Sequence, residues 1–301
     1  MKRLNSAMRA AICVLATSTA VTVSKAQEKP WELSLAFSAY NTFYEEDFMS
    51  KIQPSEIASY PQDLRGNSFT ALAFSPHITY RARQDLSLPF FLSLEGSIPS
   101  VTIKGLETGH KYEPNVAYLV QREDVQHDEV SGSLTLGWEM LPWIQPYLMI
   151  ERSRFASRRL GQLDGTDSGT LVPEANQDYT EIVIATNIGF GIAGMVPLTM
   201  SNDIRMRYDV GYQVPQTVFV ENDLFGTAPT GQGTTGYTIG GHVQLDLPFG
   251  PLQSNDGYWT IGGSIAKRHW NGDGEQHRPS GIWPANSNVE AGGFVGIGMF
   301  F

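Results

Sequence analysis

The chain has 301 residues and a net charge of −10 from 21 Lys and Arg against 31 Asp and Glu, a balance that argues against nucleic acid as a partner. Its single cysteine, Cys13, lies in the N-terminal apolar run, so the rest of the chain holds no disulfide, no thiol nucleophile and no cysteine metal site. Beyond that run no apolar stretch approaches the roughly 20 residues of a membrane helix, which excludes a helical membrane protein.

Lys2, Arg3 and Arg9 precede the apolar run Ala10 to Val23, and Ser24-Lys25-Ala26 follows it. A basic start, a short apolar segment and small residues before the cut are the parts of a secretory signal peptide, so residues 1–26 are expected to be cleaved and Gln27 to begin the mature chain. Ile12 before Cys13 does not suit a lipoprotein signal. Residues 27–301 read as one domain. An exported chain without a membrane helix is either a soluble β protein or a transmembrane barrel, and alternation along the strands separates the two.

Ten segments alternate apolar and polar residues: Trp31 to Phe43, Phe69 to Arg81, Phe90 to Ile98, Glu129 to Met140, Tyr147 to Phe155, Glu181 to Val196, Ile204 to Val214, Tyr237 to Leu247, Trp259 to Trp270 and Val289 to Phe301. In the first, Trp31, Leu33, Leu35, Phe37 and Ala39 share one face and Glu32, Ser34, Ala36, Ser38 and Tyr40 the other. The lengths suit barrel strands of about 9–11 residues. The expected fold is therefore all-β: a transmembrane antiparallel up-and-down β-barrel of about ten strands, within a range of roughly 8–12.

The links alternate in length. Gln84 to Ser87, Leu141 to Gln145, Pro197 to Asp203 and Pro248 to Gly257 are short, whereas Glu45 to Ser68, Ser100 to His127, Ala156 to Asp178, Glu221 to Thr235 and Asn271 to Ser287 are long and polar. Short periplasmic turns and longer external loops are expected of such a barrel. Trp31, Phe90, Trp138, Trp143, Phe249, Trp259 and Phe301 at one rim, and Phe43, Tyr44, Tyr237, Trp270 and Trp283 at the other, suggest two aromatic girdles.

The same period sorts the charges. A lipid-facing arginine at the bilayer centre costs about 2–4 kcal/mol, so the polar rows are assigned inward. The expected lumen network comprises Glu32, His77, Arg81, Glu95, Glu139, Glu181, Arg205, Arg207, Asp209, His242, Asp246, Arg268 and Glu290, with Glu129, Glu151, Asn187 and Gln244 beside them. In so narrow a barrel these groups either plug the interior or line a narrow polar path.

The last stretch, Glu290 to Phe301, alternates Ala291, Gly293, Val295, Ile297, Met299 and Phe301 with glycines and Phe294, and stops on an aromatic residue. It resembles the closing strand of bacterial outer-membrane β-barrels. That resemblance implies that Gly296, Met299 and Phe301 form the assembly signal, that the barrel assembly machinery, outer-membrane lipid and lipopolysaccharide are partners, and that the protein sits in the outer membrane of a Gram-negative bacterium.

Catalytic motifs are sparse. Gly189, Gly191 and Gly194 match the dinucleotide-binding glycine spacing, but inside an alternating strand they are better read as packing glycines, and no cofactor is expected. Length and strand number are similar to those of the omptin proteases, yet the paired acids and the Asp-His couple of that family are missing, as is the His-x-Ser pair of barrel lipid A deacylases. His127 beside Asp128, and His269 with His277 and Glu275, read as solvated rim residues, since adjacent strand residues face opposite sides. Asp164, Asp167 and Asp178, and Asp273 with Glu275, lack the spacing of a calcium loop, and no metal site is assigned. The expected role is non-enzymatic: a structural or surface-interaction protein whose external loops meet a partner or whose lumen passes small solutes. A porin-like channel and a rim-site hydrolase acting on peptide or lipid are the alternatives.

Overall fold

A computed structural model describes residues 29–47, 63–82, 89–113, 116–165, 171–173, 178–199, 204–222, 226–228, 236–249, 256–271 and 285–301. The signal segment 1–26, the turn Gln84 to Ser87, and Asp167, Asp273, Glu275, His277 and Trp283 lie outside the described residues.

The described chain contains strands and no helix: β1 (Trp31–Asp47), β2 (Asp63–Arg81), β3 (Phe90–Ile103), β4 (Gly105–Glu113), β5 (Val116–Trp138), β6 (Gln145–Gly165), β7 (Leu171–Pro173), β8 (Tyr179–Pro197), β9 (Arg205–Asn222), β10 (Gly226–Ala228), β11 (Gly236–Pro248), β12 (Gly257–Trp270) and β13 (Ala285–Phe300). Ten staves close into an antiparallel up-and-down barrel. β13 pairs with β12 on one side and with β1 on the other, Leu33 lying opposite Met299, so neither edge is free. β4 prolongs β3 past Lys104 along the same neighbours, β2 and β5. The short β7 and β10 pair with the upper ends of β6 and β9. We call the end holding Trp31 and Phe301 the near end and the opposite one the far end.

Period two places the residues as their chemistry requires. Leu33, Leu94, Leu134, Leu148, Ile188, Phe190, Val210, Val243, Ile261, Val295 and Ile297 point outward and are exposed, while the alternate positions are polar and turned inward. An apolar exterior around a polar interior is the inverse of a soluble barrel and fits a lipid surround. Glycines admit large inward rings. A Cβ on Gly298 would lie 2.1 Å from the Tyr258 ring, and one on Gly191 would lie 2.2 Å from the Tyr147 hydroxyl. The dinucleotide-like glycine spacing therefore reflects side chains laid flat across neighbouring strands.

The strands outrun a bilayer. β5 has 23 residues and β6 has 21, about twice a membrane span. Ser100 to His127, expected as an external loop, is instead largely the β4–β5 hairpin, and the first part of Ala156 to Asp178 is wall formed by β6. Bulges let the wall continue. Pro215 sits where the β8–β9 register shifts, between Thr186 and Asn187, a position where a strand tolerates a missing N–H donor. Gly161, at φ 66°, takes the left-handed conformation beside the register shift in β5–β6. The expected outer girdle also needs correction: Tyr44 and Trp270 are each 2% exposed and lie inside, on the inward parity of β1 and β12, whereas Phe43 faces out.

Candidate functional site

The lumen is layered. At the near end Arg207 of β9 donates from Nη1 to Glu32 Oε1 of β1 at 2.5 Å, and its Nε reaches Asp246 Oδ2 of β11 at 2.6 Å. Arg81 joins the same knot, 3.7 Å from Glu32 Oε2 and in close contact with Glu139, and the Tyr258 hydroxyl donates to Glu32. Arg205 lies over the Phe300 and Tyr258 rings, 5.2 and 5.9 Å from their centroids. Three carboxylates thus answer the cations, with Glu32 and Asp246 buried and Arg81 still a third exposed. Such a knot is strong only while complete, because one buried charge left alone costs several kcal/mol.

Above it lies a cavity of about 450 Å³. His77, Glu95, Asp209 and His242 line it among a lawn of small hydroxyls, Ser93, Ser131 and Ser264 included. Its roof is a second ionic triad, in which Arg268 of β12 sits 2.7 Å from Glu129 and 3.3 Å from Glu290.

Toward the far end the lumen holds a packed layer. Tyr44, Phe155, Val183, Ala185, Val218, Val220 and Trp270 form one buried apolar cluster inside the barrel. His127 is sandwiched in it, its ring 5.1 Å from Tyr44 and stacked 5.4 Å from Phe155. Arg159 threads the same layer. It contacts Glu46, donates from Nε to Glu107 Oε2 at 2.5 Å, and lies 3.6 Å from Glu123, with every partner buried. The Tyr44 hydroxyl donates to Glu46 at 2.7 Å and lies 3.5 Å from Glu181.

On β5 the outward residues flanking this layer are polar, Arg122, Asp124, Gln126 and Asp128, while Phe43 of β1 and Phe219 of β9 face outward at its height. Burial, reinforced by Arg159, pushes the His127 imidazolium down to about 4 despite Glu107 nearby. Burial with the Glu181 and Glu107 charges lifts the Glu46 carboxyl, and Arg159 pulls against that rise.

All thirteen residues assigned to the lumen network lie on the interior side, but not as one constellation. Glu32, Arg81, Glu139, Arg205, Arg207 and Asp246 form the near-end knot, His77, Glu95, Asp209 and His242 line the cavity, Arg268 and Glu290 roof it, and Glu181 belongs to the far-end plug. At the closing strand, Gly296 packs against Leu35 and Ala36 of β1, while Met299 and Phe301 face outward. His127 is not a solvated rim residue. It is 1% exposed and faces inward, while Asp128 takes hydrogen bonds from Thr102 and Gln126. His269 lies 2.8 Å from Asn271. Sequence reasoning missed the Arg159 knot because Glu123, Val125 and His127 alternate with Arg122, Asp124 and Gln126, so both faces are polar and no apolar period marks the strand.

No family model matches the chain, and no curated protein matches it. Among solved structures, the outer-membrane protease OmpT of Escherichia coli superposes with a TM-score of 0.57 at 10% identity, over 93% of this chain and 99% of that one. The translocator domain of the autotransporter NalP of Neisseria meningitidis gives 0.38 at 10% identity, over 100% and 97%, and the toluene transporter TodX of Pseudomonas putida gives 0.31 at 9%, over 90% of each. At such identities the OmpT likeness shows the fold alone: a bacterial outer-membrane β-barrel.

Proposed function

We propose that this chain is an integral outer-membrane protein whose near end faces the periplasm and whose lumen is closed toward the outside, with a non-enzymatic structural or surface-interaction role rather than that of a porin. The observation that carries this reading is the far-end plug: Arg159 and its carboxylates, with Tyr44, Phe155 and Trp270, are buried together inside the barrel, where an outward pathway would pass. What remains available outside is the wall that β4, β5 and β6 raise beyond the lipid, and partner recognition belongs there. The rim acid–base pair that a hydrolase would use does not assemble at His127, whose ring is buried on the face opposite Asp128.

On the outside of β6, Arg152, Arg154 and Arg158 are exposed just above Leu148 and Ile150, and none forms an ion pair among the described residues. A basic row at that height, on a chain of net charge −10, suits the phosphates of outer-leaflet lipid. Liposome swelling tests the closed lumen: proteoliposomes should swell in isotonic arabinose no faster than empty vesicles. Rapid swelling would favour the porin-like alternative.

A further inference from the structure

We infer that the far-end layer is a proton-held gate, shut while its carboxyl groups share protons and opened at alkaline pH as they lose them. The inference rests on the closed-lumen reading and adds a condition to it.

The argument starts from two carboxyl groups in contact. Glu107 of β4 and Glu123 of β5 stand directly opposite each other in register, both are buried, and their carboxyl groups are hydrogen-bonded to one another. Two ionised carboxylates have no donor between them, so this contact exists only with a proton on one of the pair. A second shared position lies across the lumen. The Tyr44 hydroxyl stands 2.7 Å from Glu46 of β1 and 3.5 Å from Glu181 of β8, and β8 is five strands from β1 in either direction around the ring. One hydroxyl proton serves one carboxylate at a time. Burial raises the Glu46 carboxyl above its ordinary range against the pull of Arg159, and the Glu181 and Glu107 charges add to the rise.

The other groups facing these carboxyls do not supply the missing charge. Among the described residues the cation that meets them is Arg159 of β6, in contact with Glu46, 2.5 Å from Glu107 and 3.6 Å from Glu123. A single guanidinium cannot neutralise several carboxylates at once. Burial holds the His127 imidazole of β5 neutral, and it holds the Tyr44 and Tyr179 phenols, whose rings lie 5.6 and 5.3 Å from the guanidinium, un-ionised. The neighbouring strands turn uncharged side chains to the layer: Leu64 of β2 and Asn286 of β13, each opposite Glu46, with Val220 of β9 and Trp270 of β12.

Loss of the shared protons turns both contacts into repulsions, Glu107 against Glu123 along the wall and Glu46 against Glu181 across the lumen. The strands themselves stay paired, because the ladders of β4 on β5, β5 on β6 and β6 on β8 run through this height. Side chains therefore part and admit water. A path ringed by carboxylates favours cations.

Single-barrel conductance at pH 6 and pH 9 tests the gate, with the parent compared to a variant carrying Glu46→Gln and Glu123→Gln, amides of nearly the same shape. Folding at both pH values is checked by heat-modifiable gel mobility. The parent should be shut at pH 6 and give reversible, cation-selective open steps at pH 9, and the folded variant should lose that opening. A folded parent shut at pH 9, the same opening in the variant, or anion-selective steps would overturn the gate alone. The closed lumen itself is read at pH 6, where sustained conductance or vesicle swelling would overturn that reading and the gate with it.

Discussion

Arg207 and Glu32 are 175 residues apart in sequence and 2.5 Å apart across the near end of the lumen. They tie β9 to β1, the strand that closes the barrel against β13. Glu32 is 2% exposed, and removing one member of such a pair strands the other. Glu32→Ala should therefore lower unfolding stability by about 3–5 kcal/mol, measured by urea titration in lipid vesicles. Glu32→Leu combined with Arg207→Leu should cost much less than the two single losses summed. A Glu32→Ala effect within the noise of the titration would show that the knot contributes nothing.

His127 supplies a pH test. Its folded value is about 4 against an ordinary 6.5, so between those values the unfolded chain binds a proton that the fold excludes. The stability that the neutral ring provides is complete above about pH 6.5 and is lost as pH falls toward 4, a change of up to about 3 kcal/mol. The neighbouring Glu46 acts in the opposite sense, because its raised carboxyl favours the fold at lower pH. The comparison with His127→Phe isolates the imidazole, with Tyr44, Phe155, Glu107 and Arg159 left in place around it. Unfolding free energies at pH 7.5 and 4.5 should fall further in the parent than in the variant. Identical pH dependence in the two would contradict the burial of a neutral ring.

The height of the bilayer on the wall follows from the outward rows of β8. Ile188 lies at mid-belt, 50% exposed and opposite Ile150, whereas Ile182 stands beyond Arg154, opposite Ala156. Ile188→Arg should cost about 2–4 kcal/mol and Ile182→Arg about 0–1 kcal/mol in vesicles. Equal costs would place the lipid elsewhere.

The outward arginines of β6 give a lipid test. Replacing Arg152, Arg154 and Arg158 together by Gln should leave stability in neutral phosphatidylcholine nearly unchanged, because Arg152 bonds only the Thr186 hydroxyl and none of the three holds an ion pair among the described residues. In membranes containing lipopolysaccharide the triple variant should lose stabilisation that the parent gains. Equal stabilisation of both by lipopolysaccharide would remove these residues from the contact.

The legibility of the sequence followed its apolar period. Leu33 to Phe37, Leu92 and Leu94, Ile188 to Ile192 and Val295 to Met299 carry a hydrophobic row against small or polar residues, and each is a strand of the barrel with that row outward. Glu32, Arg207 and Asp246 could be assigned inward because lipid excludes them. Beyond the bilayer the constraint lapses. Gln121 to Asp128 and Arg158 to Leu163 carry no apolar row set against a polar one, so these stretches read as loops and His127 as a solvated rim residue. Pairings such as Arg159 with Glu107 join residues 52 apart in sequence, and only the registers of β4 on β5 and β5 on β6 bring them together. Tyr44 and Trp270 were misplaced for a different reason: nearness to a strand end was weighed above parity, and parity is what turns a side chain in or out.

Single-barrel conductance in planar bilayers tests the closed far end most directly, with the parent compared to a variant carrying Arg159→Ala, Phe155→Ala and Trp270→Ala. The parent should give no sustained open events, and discrete conductance steps should follow once these three side chains are removed from the plug. Persistent ohmic conductance in the parent would contradict it.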